Sequence, residues 1–268
     1  MNDALSKVQS TYLTSASAVT YLSKPQRFKK FEELYLSVRE SEERLYPDEI
    51  VKRLPFINPR HSLNGEWKIR ATSAKNFIGY LKQKSKSLTI LDLGCGNGWF
   101  AYFLFNELDC HFTALDINEK ELIQGIRVFG NTAKISFVYG NIFEDILPKS
   151  KFDVILLASS VQYFSDLNQL LNQLKYLLPV DGEIHIIDSP FYSGDNIISA
   201  RSRTRDYYNS LGFPEMSDHY HHHTFDSFQD FTVEYLQATG SLFQQIRKRI
   251  SARFRPSFPW IKLTVNST

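Results

Sequence analysis

Residues 88–100 read Leu-Thr-Ile-Leu-Asp-Leu-Gly-Cys-Gly-Asn-Gly-Trp-Phe, and this stretch constrains the chain more than any other. An apolar, β-prone run carries one acid, Asp92. Glycines then occupy every second position, Gly94, Gly96 and Gly98, before an aromatic segment that can continue as a helix. A strand that turns on glycines straight into a helix N-terminus is a cradle for a nucleotide-like ligand. The missing side chains let the backbone approach closely, and the first helical turn offers N–H groups without partners. The dinucleotide fingerprint needs glycines at its first, third and sixth positions. Here the sixth position is Trp99, whose bulk would sit where helix and strand must close, so the spacing argues against that ligand.

The pattern Asp-x-Gly-x-Gly-x-Gly instead resembles motif I of the class I S-adenosylmethionine-dependent methyltransferases. The resemblance implies an α/β fold: a doubly wound, Rossmann-like, mostly parallel seven-stranded sheet with an antiparallel last strand. It also implies S-adenosyl-L-methionine as methyl donor, S-adenosyl-L-homocysteine as product, and Asp92, Gly94, Cys95 and Gly96 at the cofactor.

The downstream elements keep the spacing. Residues 111–117 read as a second strand with Asp116 near its end, an acid about 20 residues beyond the first strand, suited to both ribose hydroxyls. The family has an acid here, and Ile117 would then lie against one face of the adenine. Leu122, Ile123, Ile126 and Phe129 mark an amphipathic helix that Gly130 can close. Ile135–Tyr139 alternates as a third strand and runs into Gly140-Asn141-Ile142-Phe143. The family often has Gly-Asp there, the acid accepting from the adenine amino group. Asn141 departs from that, though an amide oxygen also accepts. Ile142 is placed for apolar contact with the ring. Residues 152–158 form a near-continuous apolar run, as a central strand covered on both faces requires. A leucine stripe from Leu167 to Leu178 and a strand over 183–188 complete the alternation, which predicts right-handed crossovers and a site at the carboxyl ends of the strands.

In the family, the segment after the central strand passes beside the methyl group. Here it is Ser159-Ser160-Val161-Gln162-Tyr163-Phe164. It is not Asn-Pro-Pro-Tyr, which argues against methylation of nucleobase or glutamine amides, and it has no cysteine to attack a pyrimidine ring. Ser159 is expected at the cofactor, and Ser160, Gln162 and Tyr163 at the acceptor. Further acceptor candidates fall in an insertion over about 189–230: Phe191, Tyr192, Arg201 and Tyr208. The insertion also holds His219, His221, His222 and His223. Three readings stay open for them: a metal face, an imidazole that removes a proton from the acceptor, or polar packing. No second ligand motif accompanies them, so no metal is assigned. Tyr163 is a further catalytic candidate.

Upstream, Trp67, Ala71, Ala74, Ile78 and Leu81 recur at helical spacing within Asn64–Leu81. Arg70 near the start of that helix is either a two-pronged partner for the methionine carboxylate or half of a surface salt bridge. Residues 1–60 read as a helical extension, with a helix over 26–41 and another starting at Pro47, and 61–268 as the methyltransferase domain. The first 24 residues show no sustained period. Many methyltransferases of this class set a helical cap over the substrate at this end; a packing appendage is the alternative.

Composition bounds the rest. A net charge of +2 does not point to nucleic acid, and Cys95 and Cys110 make no disulfide framework. No signal-peptide core or run of about 20 apolar residues occurs, so a cytoplasmic protein is expected, monomer or homodimer, acting on a small molecule by O- or C-methylation. Residues 237–256 carry Arg247, Lys248, Arg249, Arg253 and Arg255, either a solvated loop or a contact for RNA, lipid head group or a lipid-linked saccharide. A strand over 258–265 is expected to be the reversed one. A non-catalytic scaffold that kept the fold is the remaining alternative.

Overall fold

The computed structural model describes residues 18–84, 86–130, 133–236 and 258–266. The basic residues Arg247 to Arg255 and the first 17 residues lie outside them. In chain order the elements are β1 (Thr20–Tyr21), α1 (Lys29–Ser41), α2 (Asp48–Val51), α3 (Asn64–Leu81), β2 (Thr89–Leu93), α4 (Trp99–Phe105), β3 (His111–Asp116), α5 (Glu119–Phe129) and β4 (Ile135–Tyr139). They continue with β5 (Val154–Ala158), α6 (Leu167–Leu177), β6 (Glu183–Ile187), β7 (Phe191–Tyr192), α7 (Gly194–Leu211), β8 (His223–Thr224), β9 (Phe231–Leu236) and β10 (Trp260–Val265).

One sheet organises the chain, in the order β1-β4-β3-β2-β5-β6-β10-β9. All pairs from β1 to β6 are parallel, while β10 runs antiparallel to both β6 and β9. The expected reversed strand is therefore present, one position in from the edge. The sheet has eight strands rather than seven. The extra one is β1, where Thr20 pairs with Val138 and Tyr21 with Tyr139. Two residues are too short to show alternation, which is why the segment reads as unstructured from sequence.

The central strands are buried on both faces because alternate residues serve different cores. Ile90 and Leu156 join the cluster of Phe77, Phe100 and Leu104, beneath α3 and α4. Leu91, Leu93, Ile155 and Leu157 join that of Leu170, Leu171 and Leu174, beneath α6. Each such side chain contributes about 1.5–3 kcal/mol through burial. The insertion is built on a second, two-stranded parallel sheet pairing Phe191 with His223 and Tyr192 with Thr224. Between those strands, α7 and the 3-10 turn Pro214–His219 pack against α1: Val38, Tyr208 and Met216 form a third core with Phe31, Tyr35 and Tyr163 at its margin. The N-terminal helix and the insertion thus meet over the carboxyl ends of the strands.

Candidate active site

The glycine loop is shaped by close approach as much as by its left-handed backbone. Gly94 has φ +74°, and a Cβ there would stand 2.5 Å from the Cβ of Ser160. Gly98, which opens α4, has φ +72°, and its Cβ would meet the Phe137 ring at 2.5 Å. Any side chain at either position would push β5's turn or β4 away from the loop. Asp116 holds the loop from beside it. One of its oxygens accepts from Gly96 N at 2.7 Å and the other from Asn118 N at 2.8 Å. A carboxylate oxygen has two lone pairs, so both oxygens retain acceptor capacity toward the cavity.

Two neighbouring acids are held less comfortably. Asp92 is 2% exposed, and its Oδ2 has no hydrogen-bond partner among the described residues. Burial, with the charge of Asp116 added, pushes its carboxyl up to about 7. Glu121 is also pushed up to about 7, by burial and then by Asp116, with Arg39 opposing. Its side chain accepts from Asn118 Nδ2 at 3.1 Å, while Asn118 Oδ1 accepts from Glu121 N and so caps α5. A buried carboxylate atom without a partner costs free energy unless a ligand supplies a donor.

Above these acids lies a cavity of about 220 Å³. All ten expected cofactor residues line it: Arg70, Asp92, Gly94, Cys95, Gly96, Asp116, Ile117, Asn141, Ile142 and Ser159. Asn141 Oδ1 accepts from Phe143 N at 3.2 Å, so part of its capacity is spent on its own turn. Its backbone N donates to Ser23 Oγ at 2.9 Å, tying the N-terminal segment to the site. Cys95 is buried, and burial raises its thiol well above the ordinary value, which keeps it protonated. Ser159 sits at φ +55° with its hydroxyl donating to Asp188 O at 3.0 Å.

The acceptor candidates divide. Ser160 and Tyr163 line the cavity; Gln162, Phe191, Tyr192, Arg201 and Tyr208 do not. None of the four clustered histidines lines it either. His219 packs its ring 5.0 Å from Phe31, and His221 N donates to Gln162 O at 2.7 Å. His222 Nε2 stands 2.9 Å from Thr204 Oγ1, and His223 Nε2 is 3.1 Å from Val161 O. Burial lowers the pKa of His221, His222 and His223. The segment buttresses the Val161–Tyr163 turn from behind, one layer away from the cavity. No group of three or more His, Cys, Asp or Glu side chains among the described residues is placed to hold a metal ion.

What the sequence reading missed is mainly the roof. Phe31, Tyr35 and Arg39 recur every four residues along α1 and all face the cavity, joined by Glu32, Arg44, Tyr46 and Trp67. Glu32 Oε1 accepts from Lys120 N at 2.9 Å, docking α1 on the start of α5. Arg39 donates to the Tyr163 hydroxyl and to Glu42 Oε2, the latter at 2.7 Å. Arg44 places both terminal nitrogens 2.7 Å from the two oxygens of Glu66, and Arg70 reaches Glu66 Oε1 at 2.8 Å. Arg70 is half of an ion pair with Glu66, one of the two roles its sequence allowed, and it also lines the cavity. Burial works to raise the Glu66 carboxyl, but the two arginines outweigh it and hold it at about 2. The signals were present in the four-residue stripe of α1 and in the Asn118-x-x-Glu121 cap, but neither carries a chemical motif.

A family model described as a methyltransferase domain matches residues 84–245, more than half of the chain. The chain belongs to that family, and its fold and cofactor class are those of the S-adenosylmethionine-dependent methyltransferases. Among curated proteins it resembles a malonyl-[acyl-carrier protein] O-methyltransferase of Acetivibrio thermocellus, 29% identical over 50% of this chain and 48% of that one. It also resembles the human mitochondrial arginine-hydroxylase NDUFAF5, 30% identical over 41% of this chain and 30% of the relative. The chain spans about half or less of the length of these relatives. Among solved structures, geranyl diphosphate C-methyltransferase from Streptomyces coelicolor A3(2), in complex with Mg2+, geranyl diphosphate and S-adenosyl-L-homocysteine, shares the fold. The TM-score is 0.51 at 16% identity, over 80% of this chain and 88% of that one. No helix among the described residues is long and apolar enough to cross a membrane.

Proposed function

We propose that the chain catalyses methyl transfer from S-adenosylmethionine to an oxygen of a small organic acceptor. The observation that carries this reading is the cavity in which the glycine loop, Asp92, Asp116 and Asn141 meet an aromatic and arginine-lined roof. The sulfonium supplies an electrophilic carbon, so the protein's work is to align a nucleophile, exclude water and stabilise charge. Asp116 would accept from the ribose hydroxyls. Asp92, with its unpartnered oxygen, suits the positively charged end of the donor. Ile117 and Ile142 would sandwich the base, and Asn141 would read its edge. Phe31, Tyr35, Trp67 and Phe164 shield the remaining space. In this reading residues 1–60 act as the cap of a methyltransferase domain over 61–268, and the insertion at about 189–230 supports the acceptor wall from behind. The O-methyltransferase name of a relative agrees with this choice.

Calorimetric titration with S-adenosylmethionine and S-adenosylhomocysteine tests it, beside Asp116→Ala and Asp116→Asn. The wild type should bind both. Losing two charge-assisted bonds should weaken affinity by roughly tenfold or more in Asp116→Ala, and less in the asparagine variant. A wild type that binds neither ligand would sink the reading.

A further inference from the structure

We propose that Asp92 and Glu121 make the cavity a reader of cofactor charge: they favour the sulfonium donor over its thioether product, releasing a proton when the donor binds. This rests on the methyl-transfer reading above and assigns the two carboxyls that rank the two forms of the cofactor.

The first observation is an excess of acid in one cavity. Glu32, Asp92, Asp116 and Glu121 all line it, against Arg39, Arg44 and Arg70, and no lysine or histidine among the described residues does. The guanidinium groups do not offset these acids, because Glu42 and Glu66 stand beside them and pair with all three. Hydrogen-bond donors are shared unevenly among the four lining acids. Glu32 accepts from Lys120 N, and Asp116 from Gly96 N and Asn118 N. Asp92 accepts from Ala101 N on α4, but its Oδ2 is buried and has no partner among the described residues. Glu121 accepts from Asn118 Nδ2, and its two oxygens lie against the glycine loop, 3.3 and 3.4 Å from where a Gly96 Cβ would stand.

The second observation is which of these groups can change charge near neutrality. Asp116 at the end of β3 acts on both Asp92 and Glu121; Glu32 on α1 adds to it at Glu121, where Arg39 on the same helix opposes them. With burial as the larger cause, both carboxyls are pushed up to about 7, so each holds a proton part of the time at neutral pH. Burial also raises the Cys95 thiol and the Tyr35 hydroxyl beside them, which stay protonated. Donor and product carry the same zwitterionic amino-acid end, and they differ by one positive charge on sulfur. Inside a protein such a charge acts on carboxylates it does not touch, by on the order of tenfold in an equilibrium. The cation therefore drives a proton off the pair, and the ionised pair in turn holds the cation more tightly. The thioether does neither. Preference for the donor thus grows as pH rises toward the range in which the two acids ionise, and fades below it.

The test is calorimetric titration of the full chain with S-adenosylmethionine and with S-adenosylhomocysteine, from about pH 5.5 to about 7, in buffers of small and large ionisation heat. Comparing the buffers counts the protons exchanged, and this range leaves the amino groups of both ligands protonated. The donor should release about half a proton more than the product, and its affinity relative to the product should rise roughly fivefold across the range. Glu121→Gln and Asp92→Asn should each remove part of that excess, and the two together nearly all of it. Binding of S-adenosylhomocysteine by each variant shows that it is folded. Equal proton release for donor and product in the wild type overturns the proposal without any variant being needed. So does a double variant that binds the product and keeps the wild-type excess. Either outcome leaves the methyl-transfer reading standing, whereas a wild type that binds neither ligand removes both.

Discussion

The sheet carries a buried polar cluster at each end, and the two are built to opposite rules. At the amino end of β6, Glu183 accepts from the Tyr80 hydroxyl at 3.0 Å, from Lys84 at 2.9 Å and from His185 at 3.1 Å. His185 is fully buried, and its Nδ1 accepts from Trp260 Nε1 at 3.0 Å. Every polar group there has a partner. Burial tends to raise the Glu183 carboxyl, yet bonds from His185 and Lys84 hold it at about 2. At the carboxyl ends of β2 and β3, Asp92 and Glu121 are pushed the other way, to about 7, and Asp92 keeps an oxygen with no partner. A satisfied buried cluster contributes rigidity; an unsatisfied one costs stability and is retained where a ligand completes it. The contrast separates the end that holds the fold together from the end proposed to bind the cofactor.

The largest effect is expected at the closed end. Glu183→Ala strands His185, Lys84 and the Tyr80 hydroxyl at once, and breaking a buried ion pair in this way costs about 3 kcal/mol or more. That corresponds to a fall in Tm of roughly 6–12 °C for a domain of this size. Affinity for S-adenosylhomocysteine at a temperature where the variant is folded should be unchanged. A variant that keeps its Tm, or loses cofactor affinity first, would break the division between the two ends.

A smaller effect, of opposite sign, is expected from Asp92→Asn. The folded-state carboxyls of Asp92 and Glu121 lie above their unfolded values, so the folded chain binds more protons than the unfolded one between those limits. The contribution of these two carboxyls to the stability of the ligand-free protein should therefore fall as pH rises from about 4 to about 7 and stay low above it, while the lowered pKa values of His185, His221, His222 and His223 work in the opposite direction. Asp92→Asn removes one of the carboxyls responsible, leaving Glu121, Asp116 and Asp188, which burial also raises. It should flatten that profile and raise Tm at pH 8, by an amount worth a few kcal/mol at most. The same substitution should weaken cofactor binding. Chemical denaturation across pH, with and without S-adenosylhomocysteine, reads both effects. A variant less stable than wild type at pH 8 would show that Asp92 supports the fold rather than the ligand.

The two ends also differ in how far they were legible. Residues that meet a cofactor of fixed shape leave a motif of fixed spacing, so Asp92, Gly94, Gly96 and Asp116 could be named from the chain alone, and each lines the cavity. The parallel sheet was readable for a similar reason, since strands buried on both faces leave unbroken apolar runs. The roof of the cavity was not. Arg39, Arg44 and Glu66 meet only through tertiary packing of α1, the segment after it and α3, and nothing in their spacing marks them as neighbours. The histidine run drew attention by composition, whereas the fold turns His223 inward to Val161 and His222 to Thr204. The closed-end cluster was equally hidden, because Tyr80, Glu183 and Trp260 come from three distant stretches.

The smallest effect sharpens the closed end to a single proton. Because Trp260 Nε1–H can only donate, His185 Nδ1 must be the acceptor, and the ring proton sits on Nε2, pointing at Glu183. Burial lowers the imidazole pKa despite that glutamate, so the ring stays neutral where exposed histidines titrate, near 6.5. Nitrogen-15 spectra should show the Nε2–H tautomer unchanged between pH 6 and 8. Trp260→Phe keeps much of the ring's packing against Phe77 and Tyr80 but removes the donor, leaving one buried acceptor bare. The expected cost is about 1–3 kcal/mol, below that of Glu183→Ala because the Glu183 bonds survive. Spectra of this variant should lose the single tautomer, since the proton is then free to occupy either nitrogen at the expense of the Glu183 contact. A Trp260→Phe protein with an unchanged tautomer and wild-type Tm would mean that Glu183 alone orients the ring, and that satisfaction at this end rests on one partner fewer than the geometry provides.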